Sequence, residues 1–152
     1  AVSISFEVSG VVSRMNVDLG QSSKKGDVLA ELDKAVYLLA VQKNESALGE
    51  ASAALLDAQQ TLKRNSALRE KGLMSQAALD TANANYDIAK QRFNVAESAL
   101  NIARKNLSDT QLIAPYSGRV SARLVEPSQQ IQAGIAVFSW ADRCLLYPSG
   151  VD

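Results

Sequence analysis

The sequence has no histidine and a single cysteine. Zinc sites built from His and Cys therefore cannot be assembled within one chain, and Ser–His and Cys–His nucleophilic pairs are excluded as well. Cys144 has no internal partner for a disulfide. Neither sign of charge is in excess: 16 Lys+Arg balance 16 Asp+Glu. A general attraction to nucleic acid or to an anionic membrane thus has no basis. No run approaches the roughly 18 uncharged apolar residues that a bilayer span needs. The first ten residues lack both a basic n-region and an apolar h-region, so any export signal is expected to lie outside this sequence. Proline is rare, with three copies, and glycine numbers eight.

Where the scarce residues fall is informative. Between Ala35 and Leu107 there is no proline and only Gly49 and Gly72, while 16 of the 23 alanines lie there. The flanks hold all three prolines and the other six glycines. This contrast predicts a long helical centre between β-rich ends. A length of 152 residues suits one domain, or one small domain carrying a long insertion.

The two ends resemble each other at an offset of 108. Ser9, Gly10, Val12 and Ser13 recur as Ser117, Gly118, Val120 and Ser121. Val17, Gln21 and Gly26 recur as Val125, Gln129 and Gly134, making seven identities when 9–34 is laid on 117–142. Each copy runs from a β-rich segment through a polar turn and a glycine to a second apolar run: Val28–Leu32 in one, Ile135–Phe138 in the other. Two half-motifs pairing into one small β-domain is the expectation, with Trp140 and Phe138 in its core. Two unrelated meanders with similar turns is the alternative.

The centre carries heptads. Leu79, Tyr86, Phe93, Leu100 and Leu107 recur every seven residues, with Ala82, Ala89, Ala96 and Ala103 three positions after the first four. In the preceding stretch Val41, Leu48, Leu55 and Leu62 form one row, and Asn44, Ala51, Ala58 and Asn65 the other. Such spacing signals a coiled coil in which large residues face alanines. Lys71–Ser75 breaks it, with Gly72 suited to a left-handed helix end and Ser75 to the next N-cap. Met74 and Leu79 have the spacing of a hydrophobic staple. Two helices of about 33–37 residues, about 50–55 Å long, are therefore expected as antiparallel neighbours. Asp33 is the expected cap of the first helix, and Arg104 and Lys105 complement the end of the second. Ile88, Val95 and Ile102 form a further apolar row, suited either to a neighbouring subunit or to a wider seam.

Ser9–Val12, Gly20 and Lys25–Asp33 resemble the first half of a lipoyl-type domain, and Thr110–Val120, with its Ala114-Pro115-Tyr116-Ser117-Gly118 run, resembles the second. With a coiled-coil hairpin inserted between the halves, the sequence resembles periplasmic adaptors of the AcrA/HlyD type, also called membrane fusion proteins. The resemblance implies an α+β fold: a small lipoyl-like β-sandwich of two sequence-split halves (1–33 and 108–143), an antiparallel coiled-coil hairpin at 34–107 with its tip at 71–75, and a tail at 144–152. It departs from the family pattern at Ser128, where the family usually has glycine and the first half has Gly20.

Adaptors that dock onto TolC-type outer-membrane channels carry an Arg, a Leu four residues later and a Ser seven after that. Arg64, Leu68 and Ser75 match this pattern. The resemblance implies that Arg64 and Ser75 hydrogen-bond with the channel and that Leu68 packs into its groove. It further implies a periplasmic, inner-membrane-associated protein with three kinds of partner: an outer-membrane channel, an inner-membrane efflux pump, and neighbouring adaptor subunits in a hexameric ring. No nucleic acid, cofactor, metal or catalytic residue is implied. A lipoyl or biotinyl carrier is the first competitor, but its modified lysine belongs on a β-turn, and the nearest candidate, Lys34, stands where the first helix begins. A coiled-coil scaffold with β-clamps is the second; it leaves the duplicated turn pattern without a purpose. For an enzyme only scattered carboxylates remain, and those suit solvated helix faces.

Overall fold

The structure, a computed structural model, describes residues 2–142; Cys144 and the expected tail 144–152 lie outside the described residues. The described chain forms two compact units. One comprises residues up to Leu38 and from Lys105 onward, and the other is Leu39–Arg104.

The first unit is a sandwich of two four-stranded sheets. Its strands are β1 (Val2–Ser5), β2 (Gly10–Met15), β3 (Ser22–Ser23), β4 (Val28–Leu32), β5 (Gln111–Ile113), β6 (Gly118–Arg123), β7 (Gln130–Ile131) and β8 (Ala136–Asp142). One sheet runs β1-β8-β6-β3 and the other β5-β4-β2-β7. The offset of 108 converts each strand of the first half into its counterpart in the second: β2 becomes β6, and β3 becomes β7. It also exchanges the two sheets. Val12 pairs with Leu32 in one, and Val120 with Trp140 in the other.

Neither half closes a sheet alone. Each gives an adjacent strand pair (β2 with β4, β6 with β8) to one sheet and its two other strands to the edges of the opposite sheet. The turns interlock in the same way. Gly20 N–H donates to Val120 C=O at 2.8 Å, and Ser128 N–H donates to Val12 C=O at 2.7 Å. Gly26 N–H reaches Ala114 C=O and Gly134 N–H reaches Phe6 C=O, both at 3.0 Å. Every one of these bonds crosses between halves. The core is shared accordingly: Phe6, Val12, Leu29 and Leu32 are buried with Val120, Val137, Phe138 and Trp140.

The repeat identities have physical causes. Gly26 and Gly134 both adopt positive φ, at 91° and 83°, a conformation glycine enters without steric cost. Gln21 and Gln129 fold their side-chain carbonyls back to accept the N–H groups of Asp18 and Glu126. Arg123 then ties these two turns together, donating to Asp18 at 2.9 Å and to both carboxylate oxygens of Glu126.

The family departure at Ser128 leaves it at φ 70°, where the equivalent Gly20 has 83°. A left-handed conformation costs a non-glycine residue about 1–2 kcal/mol, and the added unfolded-state freedom of glycine returns about 0.5–1 kcal/mol of that. Ser128→Gly should therefore stabilise the sandwich by up to about 1 kcal/mol. Chemical denaturation followed by Trp140 fluorescence is the measurement; a fall in the midpoint would contradict it.

Lys105, in the last turn of the second helix, donates to Asp109 at 2.6 Å and to Glu7 at 2.9 Å. The hydrogen bond from Lys105 holds the Glu7 carboxyl below its ordinary range. The bonds to Asp109 and then Glu7 raise the Lys105 ammonium above its ordinary value. Glu7 and Lys105 are both exposed, so their ion pair adds little to stability.

Most of α1 (Ala35–Glu70) and α2 (Gln76–Ser108) makes up the second unit, while Ala35–Leu38 and Lys105–Ser108 belong to the first. Asp33 accepts the Ala35 N–H, as a capping residue should, but it stands one position early. The first helical bond ends on Lys34 C=O, from Leu38 N–H, so Lys34 holds the cap position itself. Along the helices the heptad rows are the less exposed positions. Val41, Ala82, Ala89, Leu100 and Ala103 are buried, and Leu48, Leu55, Leu62, Tyr86 and Phe93 are half-buried. Asn44, polar within the seam, satisfies its amide on Ala40 C=O, one turn back. Among the described residues no helix is long and apolar enough to cross a membrane.

Candidate functional site

The break between the helices is a tightly specified turn. Leu73 N–H donates to Leu68 C=O at 2.9 Å, and Gly72 N–H to Arg69 C=O at 3.0 Å. With Gly72 at φ 73°, these two bonds make a Schellman end for α1. Ser75 then starts α2, its hydroxyl accepting the Ala78 N–H at 3.1 Å, the N-cap arrangement expected of serine. Met74 and Leu79 flank this cap and are both half-buried.

The three matched tip residues occupy different settings. Arg64 is exposed, and its side chain enters no hydrogen bond or ion pair among the described residues. Leu68 lies one turn further along the same face of α1, half-buried, with its carbonyl used by the turn. Ser75, exposed across the turn, spends a lone pair on its cap and keeps its O–H donor. Arg64 and Leu68 thus share a helix face, whereas Ser75 belongs to the next helix.

Arg69 is a tip residue that the sequence did not single out. Its Nη1 donates to Met74 C=O at 3.3 Å and its Nε to Gln76 Oε1 at 3.4 Å, so it spans the turn. The available signal was its place in the last turn of α1, where a cation complements the free carbonyls.

Ile88, Val95 and Ile102 are exposed to 50%, 70% and 63%. The intramolecular seam leaves most of their surface uncovered. Ile88 and Val95 line an open groove of about 770 Å³, together with Ala47, Ala51, Ala54 and Ala96. Among the described residues no group of three or more carboxylate, His or Cys side chains is placed to hold a metal.

The profile of the family described as "RND MFP, barrel-sandwich hybrid domain" matches residues 1–139. The chain belongs to the RND membrane fusion protein family. Among curated members, the multidrug resistance protein MdtA of Yersinia pestis (strain Pestoides F) is 30% identical over 135 residues, which cover 89% of this chain and 30% of MdtA. This membrane fusion protein chain therefore spans about a third of the length of the curated relatives it matches. The solved structure of MacA from Actinobacillus actinomycetemcomitans superimposes with a TM-score of 0.78 at 27% identity, covering 93% of this chain and 49% of MacA. ZneB from Cupriavidus metallidurans shares the fold, with a TM-score of 0.68 at 21% identity over 93% of this chain and 60% of ZneB. The split sandwich and inserted hairpin are thus the fold of membrane fusion proteins.

Proposed function

We propose that this chain is part of a periplasmic adaptor, associated with the inner membrane, that joins an inner-membrane efflux transporter to a TolC-type outer-membrane channel. The hairpin, 34–107, docks onto the channel through its tip, and the lipoyl-like halves, 1–33 and 108–143, pack with those of neighbouring subunits in a hexameric ring. The role is mechanical. It needs no catalytic residue, cofactor or metal. The carrying observation is a doubly capped tip that presents Arg64 with no side-chain partner among the described residues. The apolar groove walled by Ile88 and Val95 supports lateral packing of hairpins. Lys34 favours no carrier role, because it opens a helix instead of tipping a β-turn.

Arg64→Asp in the full-length protein should abolish channel pull-down and efflux complementation while helix content stays unchanged, because an exposed charge near a helix end contributes only about 0.3–1 kcal/mol. Ser75→Ala should weaken binding less and cost about 1 kcal/mol of stability through the lost cap. Leu68→Ala, at a half-buried position, should lose binding by more than its modest loss of thermal stability explains. Full channel binding by a folded Arg64→Asp protein would remove the docking role.

A further inference from the structure

Leu73 spends its backbone N–H on the helix-ending bond to Leu68, but its side chain stays largely uncovered. The residue directly follows the left-handed Gly72, is 69% exposed, and stands on a turn fixed by the Gly72 and Leu73 N–H bonds. A turn already fixed in the free chain spares the backbone ordering cost of binding, leaving only the side chain's own rotamers to fix. Its surroundings are also electrically distinct. The whole chain is neutral, yet residues 63–76 hold Lys63, Arg64, Arg69 and Lys71 against the single carboxylate of Glu70.

We propose that Leu73 is a docking anchor that enters an apolar depression on the channel's periplasmic end, and that carboxylates rim that depression and face the tip cations, Lys71 nearest in sequence. The proposal rests on the adaptor reading above and adds a residue and a partner chemistry to it. The two interactions act on different steps. Burial of the anchor slows dissociation, whereas opposite charges at a solvated rim accelerate encounter.

The test uses the full-length protein and a purified TolC-type channel in nanodiscs containing anionic lipid, with empty nanodiscs as reference and association and dissociation rates recorded at low and high salt. Leu73→Ser should bind roughly tenfold or more weakly through faster dissociation, with the melting temperature unchanged. Lys71→Glu should slow association and flatten its salt dependence, leaving dissociation unaltered. If Leu73→Ser binds like wild type while Arg64→Asp does not, the anchor is wrong and docking by the tip stands. If both variants bind like wild type, or wild type does not bind, the adaptor reading of the tip falls and takes the anchor with it. Equal, Leu73-dependent binding to empty nanodiscs would assign the leucine to a lipid surface and overturn the proposal.

Discussion

Gly118→Ala is expected to unfold the sandwich at far lower denaturant than wild type, although φ at Gly118 lies outside the left-handed range. A methyl built there would stand 2.4 Å from Ala141 O and 2.6 Å from Trp140 Nε1. The first obstacle is backbone of the adjoining strand. The second is a fully buried indole whose N–H donates to Tyr116 C=O at 3.1 Å. Making room means parting β6 from β8 or moving Trp140 off its acceptor. Overpacking costs about 1–3 kcal/mol and a lost buried hydrogen bond about 1 kcal/mol more. A total of about 2–4 kcal/mol is a large share of a small domain's margin. Trp140 is the sole tryptophan and lies in this unit, so its fluorescence reports the sandwich directly. The equivalent Gly10 supplies the control. Its added methyl would meet only the Leu32 side chain, at 3.4 Å and beyond, so Gly10→Ala should be neutral or stabilising by about 0.5 kcal/mol. Equal losses from both substitutions would show that the glycines serve a common backbone need and not this close approach.

The contrast between Gly10 and Gly118 also marks what could be seen in the sequence. The offset repeat announced that the two residues are equivalent, and both open the equivalent strands β2 and β6. It could not announce which of them lies under an indole, because Leu32 and Trp140, the residues opposite the following valines, differ between halves. Nor could it show that the halves interlock. Two equivalent segments could equally have formed one sheet each. The bonds that decide otherwise, such as Gly20 to Val120 and Ser128 to Val12, are backbone bonds that leave no side-chain signature. By contrast, Gly72, Ser75 and the heptad rows act locally, through φ, capping and periodicity, and each was readable where it stood.

The tip divides along the same line. Ser75 as a cap and Gly72 as a helix end follow from residue type and order. Arg69 does not, because the shorter of its two bonds goes to the Met74 backbone carbonyl, which any residue at that position would offer. Leu73 was opaque for another reason: an apolar residue beside a helix end reads equally as a packed staple or an exposed knob, and only its exposure separates the two.

The hairpin seam should resist change in both directions. Leu100, 3% exposed, is the most deeply buried large residue of its row, and Leu100→Ala should cost about 2–4 kcal/mol through lost contacts and the cavity left behind. Phe93 shares the row but is only half-buried, so Phe93→Ala should cost less, despite the larger volume removed. The opposing row is tighter: Ala82, Ala89 and Ala103 are all buried while most of the large residues facing the seam are half-buried. Small side chains therefore hold most of the buried positions of the helical unit, and most of the large ones are only half-covered. Ala89→Leu should accordingly destabilise the helices by about 1–3 kcal/mol, although leucine is a good helix former. Ile88→Ala, one residue away but outside the seam, should leave the melting temperature of the isolated chain unchanged. Far-ultraviolet circular dichroism reports this unit, since nearly all of its residues are helical. A chain in which Ala89→Leu melts at or above the wild-type temperature would show that the alanine row does not set the helix spacing.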